Sequence, residues 1–201
     1  MAEIYLIRHG ETDYNKHNSI VGGRSSHISI NQTGIEQSQK LGEWIKNNLS
    51  VDAVYCSTSN RARQTLKEVF KGEIYANVTL SENLEELSQG EWEGQPRDKI
   101  YTPEQIKIIK SDNYRFKAPG GESQEEVENR MFLILEEIIA EHTDETVVII
   151  SHGIALKCLL RKILDSSPAM TSKISLANCS ISKLRYSDEN GWEIRFINRV
   201  I

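Results

Sequence analysis

Long hydrophobic runs are missing from this chain of 201 residues, and nothing in it approaches the roughly 20 apolar residues that cross a bilayer. Its first residues do not read as a secretory leader, because Glu3 interrupts them and Arg8-His9 follow after only four apolar residues. Cysteine is scarce. Cys56, Cys158 and Cys179 lie far apart, odd in number and without a CxxC, which argues against a disulfide scaffold and for free thiols in a reducing cytoplasm. With 4 prolines and 12 glycines, collagen and low-complexity linkers are excluded. An excess of positive charge is also absent: 24 basic and 29 acidic residues leave a net charge of −5. Attraction of the whole protein to nucleic acid or to an anionic membrane is therefore not expected, whereas a local basic pocket stays open. What is present, 38% hydrophobic and 26% charged residues, suits one globular domain over residues 1–201. A domain of this size buries about 70% of its unfolded surface without disulfides or metal, and it is compatible with a homodimer.

Periodicity divides the chain into alternating strands and helices. Ile4-Tyr5-Leu6-Ile7 reads as a buried strand feeding the loop that begins Arg8-His9-Gly10. Thr33-Gly34-Ile35-Glu36 has the form of a capping box, and Leu41, Trp44 and Ile45 follow at i, i+3, i+4, which predicts a helix over 33–48. A strand at 51–56 and a helix at 59–70 come next. From 84 to 121 the pattern breaks up around Gly90, Gly94, Pro96, Pro103 and Pro119-Gly120-Gly121, with one short helix near 103–110. Irregular excursions of this length in compact domains are often functional. Val127, Met131, Ile134, Leu135 and Ile138 then predict a helix over 122–142, and 146–150 is a β-branched strand ending at Ser151-His152-Gly153. A helix to about 164 and two strands near 178–186 and 192–198 close the chain. The alternation argues for an α/β fold: a three-layer sandwich whose mostly parallel central sheet carries helices on both faces.

In such sheets ligands sit at the carboxyl ends of strands. His9 and His152 both occupy that position, each directly after a predicted strand. A lone histidine there is ordinarily a hydrogen-bonded structural residue, but the neighbours change the reading. Arg8 stands beside His9 with Gly10 to let the backbone turn tightly, Asn15 adds an amide, Arg61 follows the second strand, and Gly153 opens a helix whose N-terminus favours anions. Two guanidiniums, two imidazoles, an amide and a helix end converging on one edge describe an oxyanion pocket, with phosphate as the natural occupant. Among the remaining histidines, His17, His27 and His142, no HxH or HxxxH spacing occurs, so no metal is expected.

At this level the sequence resembles the histidine phosphatase superfamily, the phosphoglycerate mutase-like proteins. The likeness runs through Arg8-His9-Gly10-Glu11-Thr12 with Asn15, then Arg61-Ala62, then Leu84, Glu86, Gly90, Trp92, Glu93 and Gly94, then Pro119-Gly120-Gly121-Glu122-Ser123, and finally Ser151-His152-Gly153. Five motifs in order along one chain make coincidence very improbable. The resemblance implies a phosphoglycerate mutase-like fold, catalysis by His9, Arg8, Arg61, Glu86 and His152, and no cofactor or metal. It also implies substrate contacts from Asn15, Gly22 and Gly153. Where family members commonly carry Asp-x-Pro-Leu, this chain reads Ser26-His27-Ile28-Ser29-Ile30, which makes Arg24 and His27 candidate rim contacts. Ser57-Thr58-Ser59 likewise replaces a common Ser-Asp-Leu.

The expected chemistry is attack by neutral His9 on phosphorus, with Glu86, among apolar and aromatic neighbours, as the proton donor to the leaving oxygen. Glu85 and Glu93 are competing carboxylates in the same segment. Arg8, Arg61, Asn15 and His152 would hold the equatorial oxygens. The short excursion, with Arg97, Lys99, Lys107, Lys110, Arg115 and Lys117 but no Arg-Arg pair, resembles the phosphatase branch. The expected substrate is thus a small phosphomonoester. A cofactor-dependent phosphoglycerate mutase and a non-catalytic phospholigand-binding module are the alternatives.

Overall fold

The apolar run at the N-terminus and the β-branched run before Ser151 become the two central strands of one sheet. The computed structural model describes residues 1–71 and 77–201. In chain order it contains β1 (Ala2–Arg8), α1 (Asp13–His17), α2 (Gln32–Asn48), β2 (Ala53–Ser57), α3 (Asn60–Val69), β3 (Val78–Ser81), α4 (Arg97–Ile100), α5 (Pro103–Ser111), α6 (Gln124–Glu141), β4 (Thr146–Ser151), α7 (Gly153–Ile163), β5 (Ile181–Ser187) and β6 (Gly191–Arg199). The strand order is β3-β2-β4-β1-β5-β6. The four strands from β3 to β1 run parallel, and β5 is antiparallel to both β1 and β6.

The period-two alternation of the central strands sorts their side chains into two cores. Ile4, Leu6, Val147 and Ile149 pack with α6 and α7 on one face, through Met131, Leu135, Leu156 and Leu159. Tyr5, Ile7, Val148 and Ile150 pack on the other face with α2 and α3, through Leu41, Ile45 and Ala62. Helices therefore cover both faces, as the alternation of elements implied. No helix among the described residues is long and apolar enough to cross a membrane.

Two local expectations are corrected. The strand β3 was not anticipated, because Val-Thr-Leu-Ser at the sheet edge keeps both Val78 and Leu80 exposed and has no buried run to betray it. The second helix does not start at a Thr33 capping box. Its N-cap is Asn31, whose Oδ1 accepts from Gly34 N at 2.9 Å while its own N–H reaches Glu11 O at 2.8 Å. That long-range anchor, invisible in a local pattern, sets the helix start.

Helix α7, which carries the second histidine motif at its head, is tied to α6 by a buried ion pair. Arg161 is 1% exposed and donates through Nε to Glu128 Oε2 at 2.9 Å and through Nη1 to Thr171 Oγ1 at 2.7 Å. Its guanidinium also lies 4.8 Å from the ring centre of Tyr114. Removing one partner of such a pair strands the other charge in the interior. Arg161→Leu should therefore lower unfolding free energy by about 3–5 kcal/mol at neutral pH, read as a fall in the urea midpoint at unchanged m. A loss under about 1 kcal/mol would mean that Glu128 finds water or another donor.

Candidate active site

Parallel pairing of β1 with β4 sets Arg8 opposite Ser151, so the two residues that follow, His9 and His152, leave the sheet at the same edge. The His9 N–H donates to Ser151 O at 3.0 Å, and the two ring centres lie 5.1 Å apart. Gly10 is required here by contact rather than by a turn. A Cβ at that position would stand 2.7 Å from the Gly34 carbonyl oxygen, where α2 begins.

Hydrogen bonds assign both tautomers. His9 Nδ1 lies 2.8 Å from the Gly10 carbonyl, which can only accept, so the ring proton is on Nδ1 and the lone pair on Nε2. In His152 the order is reversed. Arg61 Nε donates to its Nδ1 at 3.2 Å, which puts the ring proton on Nε2, facing Ser57 Oγ at 2.8 Å and Ser59 Oγ at 3.3 Å. Ser57 and Ser59, noticed in the sequence only as a departure from a family pattern, are thus what orients the second histidine.

A cavity of about 160 Å³ opens at this edge, and Arg8, His9, Asn15, Gly22, Arg61, Glu86 and Arg97 are among the residues that line it. Arg8 donates through Nη1 to Leu176 O at 2.7 Å, while its buried Nε has no hydrogen-bond partner. A buried unpaired guanidinium N–H beside a cavity is a donor waiting for an anion. Arg61 donates to Gly23 O at 2.8 Å and Ser25 O at 3.0 Å, and so holds the glycine loop as well as His152. Asn15 and Thr12 close a reciprocal capping box at the start of α1. The Asn15 Oδ1 accepts from Thr12 N at 2.8 Å, which leaves its –NH₂ as the free end of the amide.

The structure differs from the sequence reading at five residues: Gly153, Glu86, His152, Arg24 and His27. The α7 N-terminus behind Gly153 is already filled by a carboxylate of the chain itself. Ile154 N donates to Glu86 Oε2 at 3.1 Å and Ala155 N to Oε1 at 3.0 Å, joined by Leu87 N at 2.9 Å. Glu86 therefore sits on backbone N–H groups rather than in the apolar and aromatic surroundings expected of it. His152 is fully buried, both ring nitrogens are bonded within the protein, and it does not line the cavity. Arg24 and His27 line a neighbouring cavity with Glu85 and Glu93, not the His9 cavity. Arg24 is neutralised there by Glu122 at 3.0 Å and Glu85 at 3.5 Å. The same geometry separates the rival carboxylates: Glu85 bonds Thr58, and Glu93 accepts from the backbone of Arg24, Ser25 and Gln89.

Arg97 was noted in the sequence as one charge among many and is the excursion residue that reaches the cavity besides Glu86. Backbone pairing brings it there: Ile20 bridges Pro96, and Arg97 N donates to Ser19 O at 2.8 Å. Its guanidinium lies 4.5 Å from the ring centre of Tyr101. No local signal announces such a pairing between two irregular segments.

Burial, and then the positive charge of Arg61, hold both His9 and His152 well below the usual imidazole range, with Arg8 adding to the effect on each. Both rings are neutral at pH 7. In the unfolded chain each would take up a proton near pH 6.5 that the native state refuses, so stability is intact above that pH and falls below it. The expected slope between pH 6.5 and 5.5 is on the order of 1 kcal/mol per pH unit for each ring. Urea midpoints at pH 7.5, 6.5 and 5.5 measure it, and His9→Asn should make the curve shallower. A flat curve in the parent protein would overturn the neutral-pair assignment.

Comparison with known proteins places this arrangement. The chain is 31% identical over 200 residues to "Probable phosphoglycerate mutase GpmB" of Proteus mirabilis, covering 96% of this chain and 91% of that protein. Bacillus stearothermophilus YhfR superposes with a TM-score of 0.90 at 25% identity, over 100% of this chain and 98% of that one. A phosphoserine phosphatase of Entamoeba histolytica, in complex with phosphoserine, gives a TM-score of 0.85 at 24% identity, over 100% and 98% of the two chains. The model of the histidine phosphatase superfamily (branch 1) matches residues 4–200, and the chain belongs to that superfamily.

Proposed function

We propose that this protein is a metal-independent phosphomonoesterase that hydrolyses a small phosphorylated metabolite through a phosphohistidine on His9. The observation that carries the reading is the locked tautomer of His9: its Nδ1–H is held by Gly10 O, so the lone pair is on Nε2 of a residue lining a cavity with three guanidiniums, those of Arg8, Arg61 and Arg97, and one carboxylate. In the first step Nε2 attacks phosphorus, the bond from phosphorus to the leaving oxygen breaks, and Glu86 passes its proton to that oxygen. In the second step Glu86 takes a proton from water, whose oxygen attacks phosphorus and breaks the P–N bond. Arg8, whose Nε is unpaired, Arg61 and the Asn15 amide line the cavity and supply donors for the equatorial oxygens. His152 serves in this reading by holding Arg61 Nε and packing against the nucleophile's ring rather than as a direct ligand. Gly22 lines the cavity, and a Cβ added there would meet nothing of the protein within 4 Å. The three free cysteines are all buried and fit a cytoplasmic location.

The mutase reading has the likeness to the GpmB protein in its favour. Against it stands the charge inventory. A bisphosphate needs several cations beyond the phosphoryl pocket, and among the described residues Arg97 alone adds one at the cavity, because Arg24 is committed to Glu85 and Glu122. Incubated with 3-phosphoglycerate and catalytic 2,3-bisphosphoglycerate, the protein should form little 2-phosphoglycerate. Across a panel of phosphomonoesters it should release inorganic phosphate, and His9→Ala should reduce kcat at least about 10³-fold and abolish an acid-labile phosphoenzyme. Rapid isomerisation would establish the mutase instead.

The role of Glu86 is tested by the leaving group. A general acid matters for an alkyl phosphate, whose oxygen leaves poorly, and little for p-nitrophenyl phosphate. In single-turnover measurements Glu86→Gln should widen the p-nitrophenyl to alkyl rate ratio at least about tenfold, while Glu85→Gln and Glu93→Gln leave it nearly unchanged. A widened ratio in Glu85→Gln would transfer the role one residue upstream.

A further inference from the structure

The segment that carries Glu86 runs irregularly between two single 3-10 turns, Glu82–Leu84 and Gly90–Trp92, and its backbone is gripped at several points by one side-chain cluster. Arg130, on α6, donates through Nη1 to Asn83 O at 2.7 Å and through Nη2 to Glu86 O at 3.1 Å. Glu122, in the Pro-Gly-Gly-Glu-Ser turn, holds Arg130 from the other side, accepting from Nε at 2.8 Å on Oε1 and from Nη2 at 3.0 Å on Oε2. The same carboxylate accepts from Ser88 N at 3.2 Å, and the Glu122 N–H donates to Ser88 O at 2.9 Å. Arg24 joins from the glycine loop, donating to Glu122 Oε1 at 3.0 Å and lying 3.4 Å from Glu86 O through Nε.

These bonds reach both sides of the reaction site. Glu86 projects its carboxylate onto the head of α7, and the loop next to Arg24 supplies the Gly23 and Ser25 carbonyls that receive Arg61. One carboxylate, Glu122, thereby ties the proton-donating segment to the loop that shapes the phosphoryl pocket. Burial opposes the charge on Glu122, but the Arg130 hydrogen bonds and the charges of Arg130 and Arg24 outweigh it and hold the carboxyl below its usual range. The Arg130 and Glu122 side chains are only 12% and 16% exposed, so the pair is shielded from the screening that makes surface ion pairs weak. Neither residue lines the cavity, and neither can touch a substrate there.

We propose that Glu122 and Arg130 are positioning residues of the reaction, which set where the Glu86 carboxylate stands relative to the phosphoryl group. The proposal rests on Glu86 being the general acid. Arg130 grips two carbonyls three residues apart, Asn83 and Glu86, with the two arms of one planar fork. A lysine keeps the charge but has a single ammonium at the end of its stem and does not reproduce that geometry. Misplacing an acid by about 1 Å can cost on the order of 10²-fold in rate.

The test compares Arg130→Lys and Glu122→Gln with Glu86→Gln in single-turnover rates on an alkyl phosphate and on p-nitrophenyl phosphate, with inhibition by inorganic phosphate measured alongside. Each positioning variant should slow the alkyl phosphate about 10–100-fold and p-nitrophenyl phosphate no more than about threefold, with the phosphate inhibition constant within about threefold of the parent. The double variant Arg130→Lys/Glu86→Gln should be no slower on the alkyl phosphate than Glu86→Gln alone, because a misplaced acid cannot be lost twice. Equal losses on both substrates, or additive losses in the double variant, would overturn the proposal in favour of a general structural role. If Glu86→Gln itself lacks the leaving-group signature, the assignment of the acid fails. If it has the signature and Arg130→Lys does not, the positioning inference alone fails.

Discussion

The register between β1 and β4 is the constraint on which the site depends. Both strands are buried on both faces, so a slip of one residue would exchange the two cores along their whole length. With the register fixed, Arg8 and Ser151 stand side by side, and the histidine after each is delivered to the same edge. The second histidine is then locked by Ser57 and Ser59 at the end of β2, the neighbour of β4 on its far side. Three adjacent parallel strands thus end in one interlocked group of side chains.

Electrostatics at that edge run opposite to the protein's overall sign. A chain with a net charge of −5 places the buried Arg61 and the half-buried Arg8 guanidiniums beside two buried neutral imidazoles. The imidazoles stay neutral because burial and the neighbouring arginines disfavour a further positive charge, which is the condition a nitrogen nucleophile needs. The carboxylate belonging to the same group, Glu86, is held by backbone donors at the head of α7. The helix dipole, which from the sequence looked available to the substrate, supports a side chain instead.

The excursion after β3 is ordered by partners outside itself and by one aromatic cluster within it. Its stretch from Gly94 to Arg97 is zipped to the loop containing Ile20 and Val21 by backbone hydrogen bonds. Trp92 packs between Tyr101 and Phe116, with ring centres 6.0 Å and 5.6 Å away, as a small aromatic core of the excursion rather than a stacking platform for a ligand. The part that carries Glu86 is held by Glu122 and Arg130. The backbone around Glu86 and around Arg97 is in this way fixed at both ends of the excursion's contact with the cavity.

The amino-acid sequence by itself determined the alternation of elements, the two-sided burial of β1 and β4, and the appearance of Arg8-His9 and His152 after strands. These depend on periodicity and on short motifs, which are local properties of the chain. Tertiary structure decided the rest. It separated Glu86 from Glu85 and Glu93, because each carboxylate is claimed by a different distant partner: the head of α7, Thr58 with Arg24, and the backbone of the glycine loop. It removed Arg24 and His27 from the cavity and brought in Arg97, because the pairing of two irregular loops has no signature in either one. It enlisted Arg130, which in the sequence is one more charge along an amphipathic helix, because only the folded chain brings the carbonyls of Asn83 and Glu86 within reach of its guanidinium.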